Sequence, residues 1–135
     1  MFLMPASKPR FLTLARARVR QSIGFAGAGS GGTVTQATSK ATQVTLNKPN
    51  GVIILNNALL AASTTASFTL VNSYIAPSDI LVFNHQATGT FGAYTFTAQT
   101  IGLTGTAIIY VRNVSLAGLS EAIQVAFAII KATGS

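Results

Sequence analysis

The feature that most constrains this chain is a period-two alternation of apolar residues that recurs in short runs from residue 43 onward. In residues 122–130, Ile123, Val125, Phe127 and Ile129 fall on one side and mainly alanines on the other. Successive side chains of an extended chain point to opposite faces, so period two reads as strand and not helix. Residues 93–99 alternate as cleanly, with Tyr94 and Phe96 opposite Thr95 and Thr97. Residues 66–71 set Phe68 and Leu70 against Thr69, and residues 43–46 alternate more weakly. The runs 52–55, 79–83 and 107–111 are apolar almost throughout, and Gly, Pro or Asn separates most of these segments. Seven or eight short strands so punctuated predict an all-β fold, an antiparallel β-sandwich or jelly-roll-like domain. Residues 57–62, rich in Ala and Leu, are the one stretch that reads as a helical turn.

Charge is the second constraint. Hydrophobic residues make up 49% of the 135, enough for a core, while charged residues make up only 8% against about 25% in an ordinary domain. A chain disordered throughout is excluded, since such chains are poor in apolar residues and rich in charge. The absence of cysteine excludes a disulfide scaffold and a thiolate metal site. No apolar run approaches the roughly 18 residues of a membrane span. With two acids and one histidine in the chain, no active site, metal or cofactor is expected, and no small-molecule substrate.

The net charge of +7 is unevenly placed. Lys8, Arg10, Arg16, Arg18 and Arg20 lie in the first 20 positions, whereas Lys40, Lys48, Arg112 and Lys131 are offset by Asp79 and Glu121. The chain therefore divides into an extended basic arm with a Gly-rich linker, residues 1–32, and a nearly neutral sandwich domain, residues 33–135. A freely soluble surface usually carries about a quarter to a third charged residues, so much of this body is expected to face other protein. Residues 52–55, 80–83 and 107–111 point the same way. Strands apolar on both sides need a second cover, from a subunit interface or from a loop over a central strand.

Within the arm, Ala15, Ala17 and Val19 alternate strictly with Arg16, Arg18 and Arg20. An extended chain aligns the three arginines on one side, whereas a helix would turn Arg18 about 160–200° from the other two. Arg10, Arg16, Arg18 and Arg20 are thus candidate partner-binding residues on a docking strand for an acidic or sheet-edge surface. A secretory signal fits poorly, because the charges come late and Lys8-Pro9-Arg10 interrupts any apolar stretch. A transit peptide fits poorly for want of helical amphipathicity. Phosphate binding lacks an aromatic platform or folded basic patch, so nucleic acid is not the expected partner. A solvated tail is the bland alternative.

The remaining chemistry is sparse. His85 has no second ligand at metal spacing and is expected to be a loop histidine bonded to backbone. Asp79 and Glu121 are expected to pair with Arg112 or with backbone amides. Ser78 and Ser120 beside them lack the positioned base of a catalytic triad. The Gly-rich linker lacks the Lys-Ser/Thr of a phosphate loop.

The second half of the body carries a resemblance. It runs Ile80-Leu81-Val82-Phe83-Asn84-His85, then Gly89-Thr90 with Tyr94, then Ile109-Tyr110-Val111-Arg112-Asn113, then Leu119-Ser120-Glu121-Ala122-Ile123 before the last strand. Together with Gln36-Ala37-Thr38-Ser39-Lys40 and Val44-Thr45-Leu46-Asn47, this order resembles a family of small tailed-phage and prophage virion proteins over residues 36–132. Members of that family are capsid decoration (cement) proteins, head fibres or tail-fibre modules. The resemblance implies a β-sandwich that forms a homotrimer on a virion, with the major capsid protein as partner and no catalysis. A small body directly behind an anchoring arm suits a cement protein on the capsid surface. The alternative is a head-fibre or tail-fibre module that binds a receptor or glycan. Most aromatics here fall in strand patterns and not in loops, which weighs against it.

Overall fold

The computed structural model describes residues 29–100 and 102–132. Arg10, Arg16, Arg18 and Arg20, with the rest of the arm, lie outside the described residues. Eight strands form two four-stranded sheets: β1 Thr33–Thr35, β2 Val44–Thr45, β3 Asn50–Ile54, β4 Thr65–Val71, β5 Ile80–Ala87, β6 Tyr94–Gln99, β7 Thr106–Asn113 and β8 Gln124–Ile130. Sheet A has the order β1-β3-β8-β5 and sheet B the order β2-β4-β7-β6. This is the β-sandwich that the alternation predicts.

Successive strands change sheet at every connection except the β6–β7 hairpin. Strand direction alternates throughout, so the loops gather at two ends. Residues 36–43, 55–64, 88–93 and 114–123 form one end, called here the loop end. Residues 46–49, 72–79 and 100–105 form the other, where the chain also enters β1 and leaves β8. The pairings β3–β8, β5–β8, β4–β7 and β6–β7 are antiparallel. The short edge strands differ from the expected antiparallel arrangement: β1 runs parallel to β3 and β2 parallel to β4. Each is separated from its partner by a strand that crosses to the other sheet, and such a crossover returns the chain in the same direction.

The core lies between the sheets. Ile53, Val125, Phe127 and Ile129 of sheet A meet Phe68, Leu70, Ala107, Ile109 and Val111 of sheet B, all of them buried. Gly51 lets β3 close on its surroundings. A Cβ there would stand 2.6 Å from a Leu46 methyl and 2.8 Å from the Gly32 carbonyl oxygen.

Residues 57–62 form no helix, and among the described residues there is none long and apolar enough to cross a membrane. The polar groups that a helical turn would use are engaged elsewhere. Leu60 exchanges two backbone bonds with Leu119, and the carbonyls of Asn56 and Ala58 accept from the Lys40 ammonium.

Candidate functional site

Period two and the pairing register decide which side chains share the outer face of sheet A. Across the strands, Val52 is opposite Ala126 and Ala126 opposite Asn84; Asn50 is opposite Ala128 and Ala128 opposite Val82; Ile130 is opposite Ile80. With Ile54, the apolar residues of this face surround two alanines and are interrupted by Asn50, Asn84 and Gln124, with Thr33 and Thr35 at the β1 edge. Ile80, Val82 and Ile130 are 56%, 45% and 50% exposed. None of the four strands of sheet A contains a charged residue. Exposed isoleucine and valine along the β5 edge, with no charge among them, form an apolar patch of the kind that other protein can cover.

The outer face of sheet B is its opposite in chemistry. There Thr65, Ser67 and Thr69 of β4 and Thr95, Thr97 and Gln99 of β6 flank Arg112, Tyr110 and Ile108 of β7. Tyr110 donates to Gln99 Oε1 at 2.9 Å, and Arg112 donates to Thr65 Oγ1 at 3.3 Å. Of the three doubly apolar runs, 52–55 and 80–83 therefore meet on one face. Run 107–111 lies in the other sheet, where Ile108 and Tyr110 are flanked by Thr69, Ser67, Thr97 and Gln99.

Four of the body's charges, Lys40, Asp79, Glu121 and Lys131, are engaged within it. Lys40 is 3% exposed and donates to the carbonyl oxygens of Asn56, Ala58 and Glu121 at 2.6, 2.7 and 2.8 Å. Burial lowers its pKa, and the nearby Glu121 carboxylate partly restores it. Glu121 accepts from the Thr90 hydroxyl at 2.7 Å, the Thr90 amide at 2.9 Å and the Tyr94 hydroxyl at 2.7 Å. These bonds, those from Thr90 foremost, hold its carboxyl below the usual range. Burial and the Glu121 bond together push the Tyr94 phenol up. Asp79 is buried, which by itself would raise its pKa. Its ion pair with Lys131 and the amides of Ala76 and Ala132 outweigh that and bring it below the ordinary value. Both acids thus find backbone amides as expected, but neither pairs with Arg112. Lysine takes that role at Asp79 because Lys131, at the end of β8, stands next to the start of β5.

The loop end holds a second cluster. His85 is a strand residue of β5 and not a loop histidine, and its Nε2 lies 2.6 Å from the Thr88 carbonyl oxygen. Its ring stacks on Phe91 with centroids 4.3 Å apart, and Phe91 is itself 63% exposed. The turn between them is tight: Thr88 has φ 59° and Gly89 has φ 76°. A β-branched residue in the left-handed region is a strained exception, here held by hydroxyl bonds from Thr88 to the Ala87 and Ala122 carbonyls. Leu59 and Leu116, 66% and 95% exposed, stand at the same end. Sequence reading missed Phe91 because a lone phenylalanine between Thr90 and Gly92 carries no periodic signal.

Among the described residues no group of three or more His, Asp or Glu could hold a metal ion. Comparison with protein-family models, with curated proteins and with solved structures finds no match to this chain.

Proposed function

We propose that the protein is a virion structural protein, a capsid decoration (cement) protein that binds the outer capsid surface as a homotrimer. The observation that carries this reading is the charge-free outer face of sheet A, with Ile80, Val82 and Ile130 half exposed along it. Covering these half-exposed side chains contributes about 1 kcal/mol each, a favourable share of association that further contacts must supplement. The resemblance over residues 36–132 supplies the virion setting, the trimer and the major capsid protein as partner.

The arm fits the same picture on electrostatic grounds. Asp79 and Glu121 are the chain's only acids, and both are bonded within the body. The cations at Arg10, Arg16, Arg18 and Arg20 find no free carboxylate there, so their counter-charge belongs to another molecule. An acidic shell protein supplies it.

The test is whether the protein co-purifies with intact virions, at what copy number, and whether its removal lowers the temperature at which the shell opens. A copy number comparable to the major capsid protein supports the reading; absence from purified particles overturns it. A second reading, a fibre module that recognises a host saccharide, is favoured by one observation. Phe91 offers an exposed ring at the loop end, stacked on His85 beside the hydroxyl-rich Glu121 cluster. A handful of copies per particle, with sugar binding lost in Phe91→Ala, supports this instead.

A further inference from the structure

We propose that residues 15–20 of the chain add to the free edge of its own β5 as an antiparallel ninth strand. Ala15, Ala17 and Val19 turn into the seam between the sheets, and Arg16, Arg18 and Arg20 line the rim of the outer face of sheet A.

The acceptor is the edge itself. β5 is eight residues long and pairs only with β8, and among the described residues no backbone bond reaches its other side. Natural sheets blunt such edges with charge, proline, shortness or a bulge. The edge strands β1 and β2 are short, with three and two residues. β5 has neither charge nor proline, and its one irregularity, between His85 and Ala87, lies at the loop end. The row from Ile80 to Gln86 is left as an open template.

The seam beside it selects small side chains. Leu81 and Phe83 of β5 face Phe96 and Ala98 of β6, all only partly buried, and the Phe83 and Phe96 rings stand 6.3 Å apart across the two sheets. Alanine and valine cover such a seam without forcing the sheets apart. Arginines turned into it would be buried with no counter-charge, because both acids are engaged elsewhere. The strict alternation at 15–20 satisfies both demands in one orientation.

The path of the chain fits as well. Moving backwards from β1, the Gly31 amide donates to Asn50 Oδ1 at 3.0 Å, and a Cβ on Gly29 would stand 4.0 Å from the Tyr74 hydroxyl. The Tyr74 carbonyl in turn accepts from Lys131, the partner of Asp79. At residue 29 the chain is therefore within reach of the side chain of Tyr74, which belongs to the loop that leads into β5. Residues 21–28 span up to about 27 Å when extended, ample to turn the chain back along β5. Residue 20 then meets the start of β5 and residue 15 a point further along, which makes the pairing antiparallel. Six residues cover about 20 Å of the roughly 27 Å that β5 offers. A connection this short gives the chain's own arm an effective concentration near the millimolar range, well above a neighbour's arm in dilute solution.

This placement stands apart from the virion reading and is tested without a capsid. The chain has no cysteine, so pairs can be introduced cleanly. Arg18→Cys combined in turn with Val82→Cys and with Asn84→Cys is expected to form an intrachain disulfide on mild oxidation, at least tenfold faster than Arg18→Cys with Thr97→Cys on the opposite sheet. Cross-linking no faster than that control overturns the proposal, as do disulfides that form only between molecules when single-cysteine variants are mixed. Hydrogen exchange gives an independent readout. Ala17→Pro in the full chain removes a ladder donor and is expected to speed exchange of β5 amides at least tenfold while β4 and β7 are unchanged. Equal β5 exchange in both proteins overturns it.

Discussion

Lys40 is a buried cation satisfied by three backbone carbonyls, which belong to the 55–64 and 114–123 loops. It ties those loops to its own 36–43 loop. Lys40→Met keeps the apolar stem but leaves the carbonyls bare, and an unsatisfied buried acceptor costs about 1–3 kcal/mol. The variant is expected to lose about 3 kcal/mol or more in urea unfolding, with loop-end amides exchanging fastest. Glu121 and Asp79 set the response to acid. Both carboxyls lie below their ordinary values in the fold, so their contribution is complete above the unfolded values of about 4.3 and 3.9. It fades as pH falls through the lower folded values. The melting temperature is therefore expected to drop below about pH 4. Glu121→Gln should melt lower at pH 7, by about 1 kcal/mol given the partial exposure of its partners, and should show a smaller acid-induced drop. An unchanged acid profile in this variant would place the sensitivity in Asp79 alone.

At the scale of elements, the strands were legible because period two survives in a single sequence. The run from Ile123 to Ile129 marks β8, and Tyr94 and Phe96 mark β6, with no knowledge of what they pack against. The parallel edges β1 and β2 were less legible: three residues of Thr-Val-Thr carry too little pattern to stand out. The helical reading of residues 57–62 failed because local propensity is weak against Lys40, a competitor 16 residues away from Asn56. Which apolar runs share a face depends on register, and register is a long-range property. So the sequence announced surplus apolar surface without showing that it gathers on sheet A, and the Phe91–His85 stack gave no signal at all. Gly51 is where packing leaves least room. Gly51→Ala is expected to cost about 1–3 kcal/mol by overpacking, measured by urea denaturation, because Leu46 and the Gly32 carbonyl occupy the space a methyl needs. A neutral result would mean that the 29–32 segment yields easily.

For the whole molecule, the outer face of sheet A carries no charge while that of sheet B is rich in hydroxyls, and the proposed trimer uses the first. Ala128→Lys sets a charge in the middle of the outer face of sheet A, where the side chain is half-buried. This variant is expected to keep its far-UV spectrum and to be monomeric by light scattering, against the trimer proposed for the parent. A trimer that persists would move the interface elsewhere. Replacing Arg16, Arg18 and Arg20 together by glutamine is expected to leave folding and trimerisation intact. Capsid binding should weaken, and the parent's binding should fall as salt shortens the screening length; equal binding of both proteins at low salt would place attachment in the sandwich alone. The described body begins before β1 and ends after β8 at the same pole, which has a practical consequence. A guest inserted at that pole would stand beside the 46–49, 72–79 and 100–105 loops. A guest meant to project outward belongs at the opposite pole. There residue 116 is 95% exposed, in a turn that Asn113 closes through bonds to Ser115 and Ala117. The body is thus a peg with a built-in direction, and the internal loop at residue 116 is its display site.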